Sequence, residues 1–243
     1  METAETVALV TGANRGIGLE IARGLGKRPG VTVYVAARDA AAAEATAAML
    51  QEEGIAARGV HLDVTNIGTI GRAMRVIDVD FGRLDALVNN AGIALDYAPP
   101  SLLSIEAVRQ TYETNVFGVI MTTQVMLPLL RKSKAPRIVN VSSGLGSLTL
   151  HTSPNNPFAH FNSVAYSTSK TALNAVTVAF ANELAGDGFK INAADPGYTA
   201  TNLNNFSGPR TPEQGAAIAI KLATLPDDGP NAGYFNDAGP VPW

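Results

Sequence analysis

The sequence predicts one α/β domain in which a doubly wound parallel sheet of about seven strands carries helices on both faces. Short apolar or β-branched runs alternate with helical stretches along all 243 residues, and no long linker or low-complexity tract divides them. Several of these runs are apolar throughout, as expected when helices cover both faces of a parallel sheet. Ligands of such folds bind at the carboxyl ends of the strands, so the residues that follow each strand are the candidates for function.

The first half of the chain is predicted to contain four strands, with a helix after each of the first three. Asp39 can cap the second of these helices, and Gly54 can end it. The predicted strands are 7–10, 31–36, 57–62 and 84–89, and the predicted helices are 16–27, 40–53 and a third that ends near Asp80.

The second half continues the alternation. Thr211 is predicted to cap the last helix, Pro212 suits its first turn, and Gln214 can complete a capping box. The other predicted elements are a helix at 104–132, a strand at 137–142, a helix at 164–185, a strand at 190–194 and a short strand at Tyr234–Phe235. The pattern covers residues 1–243 without a break, which indicates a single domain.

Composition excludes several kinds of partner. The chain has no cysteine, which removes disulfides, thiolate zinc sites and cysteine nucleophiles, and its formal charge of −3 gives no general attraction to nucleic acid or anionic lipid. His61, His151 and His160 show no metal-ligand spacing. The first residues are acidic, unlike a secretory signal, and no apolar run is long enough to cross a bilayer. We expect a cytoplasmic protein that uses no metal and binds neither nucleic acid nor membrane.

A glycine-rich turn lies between the first predicted strand and the first predicted helix. Its spacing is Gly-x-x-x-Gly-x-Gly, which permits a tight turn and a close approach of the backbone to a ligand. The helix that follows offers free N–H groups and a positive potential to a pyrophosphate. Such a turn can also be purely structural, but its place in a strand–turn–helix unit favours dinucleotide binding. The residues expected to contact the cofactor are Gly12, Asn14, Arg15, Gly16, Ile17 and Gly18.

Two arginines favour NADP(H) over NAD(H). Arg15 lies inside the glycine turn, and Arg38 follows the second strand, where the adenosine ribose of a bound dinucleotide would lie. A basic pair suits a 2′-phosphate, whereas an acidic residue there would accept hydrogen bonds from a 2′-hydroxyl. Asp39 is adjacent and is such an acid, but we assign it to the helix cap. The alternative is that both arginines are ordinary solvated surface residues.

Tyr166 and Lys170 are one helical turn apart and share one face of a predicted helix. A free tyrosine has a pKa of about 10, which is high for general acid–base work at neutral pH. An ammonium about 4 Å away favours the tyrosinate by about 4 kcal/mol, enough to bring the pKa near 7. Alone, the pair would more often be a chance feature of a helix surface.

The pair is accompanied by other motifs, which occur in a characteristic order along the chain. They are Thr11–Gly18, Asn89-Asn90-Ala91-Gly92, Asn115 and Val141-Ser142-Ser143. Together with Tyr-Ser-Thr-Ser-Lys at 166–170 they closely resemble the classical short-chain dehydrogenase/reductase family, over essentially the whole chain. The resemblance implies a Rossmann-type fold and hydride exchange between a nicotinamide cofactor and a carbonyl or alcohol.

The resemblance also implies four catalytic residues. Tyr166 would protonate the substrate oxygen during reduction, and Ser143, rather than the neighbouring Ser142, would polarise the carbonyl. Lys170 would bind the nicotinamide ribose and lower the pKa of Tyr166. Asn115 is similar to the family's asparagine that kinks its helix and holds a water in the proton relay.

Further positions are similar to the family's cofactor contacts. Asp63 and Val64 match the pair that meets adenine, Asn89 matches the residue that braces the central strands, and the segment after the strand at 190–194 matches the grip on the nicotinamide. Besides the glycine turn, Arg38, Tyr166 and Lys170, the implied contacts are Asp63, Val64, Asn89, Ala91, Gly92, Pro196, Gly197, Thr199 and Thr201.

One departure concerns an insertion at about 144–163. Many family members have the serine closer to the tyrosine than Ser143 is to Tyr166 here. The extra segment resembles, in shorter form, the insertion of monomeric carbonyl reductases, which covers the helices used elsewhere for oligomerisation. This favours a monomer; if the segment stays at the active-site mouth instead, a homodimer or homotetramer is expected. Its apolar residues could also line a substrate pocket.

The expected function is NADPH-dependent reduction of a small ketone or aldehyde. The alternatives are a 3-oxoacyl-thioester reductase of fatty acid or polyketide synthesis, and a regulatory protein that senses NADP(H) without turnover. The first would favour a basic patch for an acidic carrier protein, and we find no concentrated patch. The second class typically lacks the tyrosine or the lysine, and both are present here.

Overall fold

The computed structural model describes residues 5–159, 161 and 163–243, which form a single α/β domain built on one eight-stranded sheet. The strand order is β3-β2-β1-β4-β5-β6-β7-β8; every neighbouring pair is parallel except β7 and β8. The predicted fold class is confirmed, and the antiparallel β8 is an addition. The strands are β1 (Thr6–Thr11), β2 (Val31–Ala37), β3 (Ala57–His61), β4 (Ala86–Asn89), β5 (Arg137–Val141), β6 (Lys190–Ala194), β7 (Tyr234–Asn236) and β8 (Gly239–Pro240).

Eight α-helices lie within the described part of the chain. They are α1 (Gly16–Gly26), α2 (Ala40–Glu52), α3 (Ile67–Phe81), α4 (Ile105–Tyr112), α5 (Gly118–Leu130), α6 (Leu148–Thr152), α7 (Val164–Glu183) and α8 (Pro212–Ala223). In those same residues, no helix combines the length and the apolar character that crossing a membrane requires.

The core has two layers, one on each face of the sheet. Alternate residues of β1 belong to different layers: Ala8 and Val10 pack with α1, α2 and α8, whereas Val7 and Leu9 pack with α3, α5 and α7. Since successive side chains of a strand point to opposite faces, helices cover both sides of the sheet. This explains why the central strands are apolar throughout.

The local capping signals are confirmed. The Asp39 carboxylate accepts hydrogen bonds from Ala41 N at 2.9 Å and Ala42 N at 3.2 Å, and Thr211 and Gln214 form a reciprocal capping box at the start of α8. Gly54, just beyond α2, has a φ of +80°, in the left-handed region expected where a glycine ends a helix.

The predicted continuous helix at 104–132 is wrong in its middle. A π-helical turn at Glu113–Phe117 separates α4 from α5, and it contains Asn115, where the family resemblance implies a kink. Asn115 lies in this turn, where its side chain bonds to the backbone of Ile93, the residue just beyond Gly92. This long-range bonding accompanies a local widening of the helix, a distortion that often occurs at functional sites.

A buried polar ladder joins the central strands to α7. Asn89 Nδ2 donates to Asn140 Oδ1 at 2.9 Å across the β4–β5 pair, and Asn140 Nδ2 donates to Thr177 Oγ1 at 2.9 Å. Thr177 Oγ1 in turn donates to Leu173 O at 2.8 Å within α7. The geometry at Asn89 matches the bracing role that the family resemblance implies.

Candidate active site

The candidate residues converge at one edge of the sheet, where the parallel strands end. The glycine turn follows β1, Asn90–Gly92 follow β4, Ser142–Ser143 follow β5 and Asp195–Thr201 follow β6. The register pairs Thr11 with Ala36, Asn89 with Asn140 and Val141 with Ala194, so these connections begin at the same level of the sheet. This is the edge at which doubly wound folds bind their ligands.

The glycine turn leaves no room for side chains at two of its positions. Gly12 has a φ of +62°, and a Cβ there would lie 3.0 Å from Ala91 Cα. A Cβ on Gly18 would overlap Gly12 O and Asn90 Nδ2. Because α1 begins at Gly16, its free N–H groups lie at this closely packed turn. The cradle therefore fits a pyrophosphate approached by backbone groups.

Thr11 and Asn90 hold the turn in place, and neither was among the predicted site residues. Asn90 Nδ2 donates to Thr11 O at 2.8 Å and to Gly12 O at 3.2 Å, while Thr11 Oγ1 accepts from the N–H groups of Asn90 and Ala91, each at 3.0 Å. The consecutive asparagines Asn89 and Asn90 at the end of β4 are the signal in the sequence, but only Asn89 is among the predicted site residues.

Arg15 and Arg38 flank the entrance to the turn. Both are exposed, and neither makes an ion pair within the described residues. Ala13 N donates to Ala36 O at 3.0 Å, which holds the glycine turn beside the end of β2, just before Arg38. The Asp39 carboxylate caps α2, so two unneutralised guanidinium groups remain at this corner. Their charge fits the 2′-phosphate of NADP(H).

Asp63 and Val64 follow β3, at the same edge of the sheet. Asp63 Oδ1 accepts from Thr65 N at 2.9 Å and from Thr65 Oγ1 at 2.8 Å. Val64 is buried, and a Cβ on Gly118 would lie 2.9 Å from its Cγ2. Asn14 and Ile17 are partly buried in the glycine turn and the first turn of α1.

Asn115, Gly92 and Lys170 meet behind the end of β4. Asn115 is fully buried; its Oδ1 accepts from Ile93 N at 2.9 Å, and its Nδ2 donates to Ile93 O at 2.9 Å and Ser169 Oγ at 3.0 Å. A Cβ on Gly92 would lie 3.4 Å from Asn115 Oδ1 and 3.6 Å from Lys170 Nζ. The absence of a side chain at Gly92 therefore keeps the approach to both polar groups open.

The pKa of Tyr166 departs from the value expected from the sequence. Burial raises the pKa to about 12, a side-chain hydrogen bond with Ser143 opposes the rise, and the charge of Asp195 adds to it. Lys170 Nζ donates to Val141 O at 2.7 Å and lies 5.5 Å from the centre of the Tyr166 ring. Burial lowers the pKa of Lys170 to about 8. The expected shift of the tyrosine pKa toward 7 is therefore wrong for these side chains, because burial raises the pKa and the Lys170 ammonium, which is bonded to Val141 O, is not among the groups that lower it.

The two serines after β5 have different surroundings. Ser142 is buried and donates to Asn174 Oδ1 at 2.6 Å. Ser143 is partly exposed, and its Oγ accepts from Leu145 N at 3.3 Å at the start of a short 3₁₀ helix at Gly144–Gly146. Its hydroxyl hydrogen is not used in that bond, and the side chain also hydrogen-bonds with the Tyr166 phenol.

The segment after β6 folds back toward the glycine turn. Gly197 has a φ of +69°, and its N–H donates to Asp195 Oδ1 at 3.0 Å. The buried Thr199 donates through Oγ1 to Pro196 O at 3.1 Å. Thr201 Cγ2 would lie 3.5 Å from a Cβ on Gly16. The segment therefore closes the groove that begins at the glycine turn.

The described residues of the 144–163 segment lie at the mouth of this groove and against the end of the described chain. Thr149 N donates to Trp243 O at 3.0 Å, and the ring of Trp243 stacks on Tyr234. The Phe158 ring lies beside Gly144, where an added Cβ would be 2.8 Å from Phe158 Cζ. Phe161 meets Tyr198 edge-on, with ring centres 5.9 Å apart. Aromatic rings thus border the space next to Ser143.

No metal site is found among the described residues. His61 is exposed, and His151 Nε2 lies 2.9 Å from Leu145 O within the 144–163 segment. The expectation for His160 concerns a position outside the described residues.

Comparison with known proteins identifies the family. The sequence model for short chain dehydrogenase matches residues 6–211. The chain is 34% identical to "Short-chain dehydrogenase anuI" of Penicillium roqueforti over 90% of this chain and 88% of that protein, and 31% identical to "Carbonyl reductase [NADPH] 1" of Sus scrofa over 100% and 96%. The solved structure of salutaridine reductase from Papaver somniferum superposes with a TM-score of 0.82 at 30% identity, covering 96% of this chain and 100% of that one. The chain is an oxidoreductase of the short-chain dehydrogenase/reductase family.

Proposed function

We propose that the protein is an NADPH-dependent reductase of a small ketone or aldehyde, with Tyr166 as its general acid. The observation that carries this proposal is the partly buried phenol of Tyr166, hydrogen-bonded with Ser143 at the carboxyl edge of the sheet. A phenol whose pKa is raised to about 12 keeps its proton throughout the physiological range. Reduction of a carbonyl needs a proton donor, and alcohol oxidation needs a base, so this environment favours reduction.

Tyr166 and Ser143 are proposed to bind the substrate oxygen together. The Ser143 hydroxyl donates a hydrogen bond that polarises the carbonyl, and the Tyr166 phenol transfers its proton to the oxygen as negative charge develops there. Two aligned donors stabilise this charge more in the transition state than in the bound ketone. Their position at the partly buried groove also limits access of water, which strengthens both hydrogen bonds.

Lys170 and Asn115 are proposed to support the proton donor. The Lys170 ammonium lies beside the open face of Gly92, where it can bind the nicotinamide ribose hydroxyls. Asn115 holds the π-helical turn against Ile93 and so fixes the wall behind Lys170. A water bound near this turn would connect the ammonium to solvent and return a proton to Tyr166.

The cofactor is proposed to bind along the carboxyl edge, from the arginine pair to the segment after β6. Arg15 and Arg38 would bind the 2′-phosphate, the glycine turn the pyrophosphate, Asp63 and Val64 the adenine, and Pro196–Thr201 the nicotinamide. When bound, the cofactor supplies the hydride that reduces the carbonyl carbon. NADPH is named in the description of the Sus scrofa relative, which supports the choice made from the arginines.

The test of this proposal is NADPH consumption with a panel of ketones, diketones, aldehydes and acetoacetyl thioesters. Reduction of simple ketones or aldehydes is the expected result. A strong preference for acetoacetyl thioesters would identify the 3-oxoacyl-thioester reductase instead. NADPH binding without turnover of any of these compounds would support the sensing role. The cytoplasmic location stays a prediction, which localisation of the tagged protein would check.

The oligomeric state also stays a prediction. The resemblance to monomeric carbonyl reductases favours a monomer. In the described part of the 144–163 segment, Gly146 O accepts hydrogen bonds from Thr171 and Asn174 of α7, but Thr149 and Phe161 contact Trp243 and Tyr198 instead of an outer helix. Ile105 is 61% exposed on α4, and Phe117 is 47% exposed in the π-helical turn. This arrangement favours the alternative, a homodimer or homotetramer through the outer helices. Light scattering at micromolar concentration decides: the mass of one chain would contradict assembly, and that of two or four chains would contradict the monomer.

A further inference from the structure

Asp195 is a buried carboxylate that the reaction described above does not use. It follows β6 directly and is 8% exposed. Its backbone N–H donates to Phe235 O at 2.8 Å, and its Oδ1 accepts from Gly197 N at 3.0 Å. In the described residues, no arginine, lysine or histidine forms an ion pair with it. A buried carboxylate without a cation is unfavourable unless something else supplies one.

The second carboxylate oxygen of Asp195 lies beside the substrate groove. A Cβ on Gly144, the residue after Ser143, would be 3.3 Å from Asp195 Oδ2 and 2.8 Å from Phe158 Cζ. Gly144, which is covered by the Phe158 ring, therefore brings a carboxylate oxygen and an aromatic ring together next to the proposed carbonyl-binding serine. The charge of Asp195 acts on two phenols, those of Tyr166 and Tyr234. Both phenols are neutral at physiological pH, so neither compensates the charge of the carboxylate.

We propose that Asp195 is a specificity-determining residue that binds a protonated amine of the ketone substrate through Oδ2. A neutral hydroxyl of a substrate would donate a hydrogen bond to Asp195 but leave the charge of the buried carboxylate uncompensated. An ammonium group supplies both a hydrogen bond and a positive charge. The Phe158 ring adds a favourable surface for a cation, because ammonium groups are attracted to aromatic faces. The substrate class is therefore an amino ketone whose ammonium lies a few bonds from its carbonyl. This inference rests on the proposed carbonyl reduction.

The test uses two ketones of the same shape. One is a phenyl ketone with a dimethylamino group on its β-carbon, and the other carries an isopropyl group in place of dimethylamino. We expect the wild type to favour the amino ketone in kcat/KM by at least about tenfold, as charge-assisted hydrogen bonds do. In Asp195→Asn, which keeps the shape and removes the charge, the preference should fall about ten- to hundredfold. Any effect of Asp195 on Tyr166 applies to both ketones, so the ratio isolates binding of the amine.

Two further variants serve as controls. Asp187→Asn removes an exposed carboxylate that pairs with Arg131 before the start of β6, and it should leave the preference unchanged. Asp195→Glu keeps the charge and should retain part of the preference. Thermal unfolding shows whether Asp195→Asn is folded; if it is not, the wild-type preference and Asp195→Glu still test the proposal.

Several results would overturn the inference. These are a wild type without preference for the amino ketone, an Asp195→Asn variant that keeps it, and an equal dependence on Asp195 for a β-hydroxy ketone. A loss of NADPH affinity in Asp195→Asn, with equal losses for both ketones, would assign the carboxylate to the cofactor instead. If no ketone is reduced, the proposed function fails separately. Calorimetric titration of the amino ketone into NADPH-loaded wild type and Asp195→Asn then decides whether Asp195 binds the amine.

Discussion

The cofactor side and the substrate side of the candidate active site are held together in different ways. The cofactor side is a turn fixed by backbone geometry, in which Gly12, Gly18 and Asn90 pack closely around one conformation. The substrate side is an irregular segment, in which Phe158 and Phe161 rest on Gly144 and Tyr198 through ring contacts. A turn in which Gly12 and Gly18 leave no room for side chains tolerates few substitutions, whereas a wall of side chains can vary with the substrate. We infer that the glycine turn maintains the choice of cofactor, and that the side chains around Phe158 and Phe161 determine which substrate is accepted.

The largest effect is expected from a substitution of Tyr166, which lies between the cofactor side and the substrate side. Tyr166→Phe keeps the ring but deletes the proton donor, so reduction should fall by about 10²- to 10⁴-fold while NADPH affinity is retained. The measurements are steady-state NADPH consumption and fluorescence titration of NADPH. Tyr112→Phe, at the end of α4, is the matched control and should keep its activity. Turnover of Tyr166→Phe within a few-fold of the wild type would show that another group donates the proton.

A smaller effect, a loss of NADPH affinity, is expected from a substitution on the cofactor side. Arg38→Asp removes a charge-assisted hydrogen bond to the 2′-phosphate, so NADPH affinity should fall about ten- to hundredfold and NADH should be used better relative to NADPH. Arg75→Asp, an exposed arginine of α3, provides the matched control. Equal affinity of the wild type for NADH and NADPH, measured by titration, would contradict the phosphate site.

On the substrate side, Phe158→Ala removes the ring beside Gly144. The kcat/KM for a bulky ketone should fall by about tenfold, mainly through KM, because the lost contact is apolar and binds the substrate. NADPH affinity should not change. Leu148→Ala removes an exposed side chain from the same segment and should have little effect. A loss of NADPH affinity in Phe158→Ala would show that the two sides are not independent.

The smallest effect concerns pH. The pKa of Tyr166 is raised to about 12, so its acid form is present at every pH below that value. The pKa of Lys170 is lowered to about 8, so its positive charge is lost as the pH rises through 8. Reduction should therefore stay constant from about pH 6 and decline a few-fold above pH 8 through Lys170. In Lys170→Arg, which keeps the charge, the rate should be lower but this decline should disappear. A decline that persists in Lys170→Arg would assign it to another group.

The same comparison explains what could be predicted from the sequence. The glycine turn, the Asp39 cap and the capping box of Thr211 depend on neighbouring residues, so spacing and residue type were sufficient. The π-helical turn depends on bonds from Asn115 to Ile93 and Ser169, which helical periodicity does not reveal. Within the 144–163 segment, the positions of Thr149 and Phe161 depend on Trp243 and Tyr198, which are distant in sequence, so spacing does not predict them.

The pair of Tyr166 and Lys170 could be predicted from the sequence only in part. Its spacing correctly places Tyr166 and Lys170 on one helix, because that is a property of the helix alone. Burial shifts the pKa of both side chains, and that of Tyr166 also depends on Ser143 and on Asp195, which follow β5 and β6; the predicted direction for Tyr166 was wrong. The Asn90 contacts were missed because they join β4 to the glycine turn after β1, across most of the first half of the chain.

The buried ladder of Asn89, Asn140 and Thr177 has a consequence for folding. Asn89 and Asn140 are 51 positions apart, so their parallel strands must find each other after a long loop has closed, a slow step in chain assembly. A shift of β5 by one residue would turn Asn140 to the opposite face of the sheet and leave its partners unbonded in an apolar interior. The hydrogen bonds of the two amide side chains thus specify a single register of the central strands. A misaligned pairing of β4 and β5 is therefore less stable than the native one.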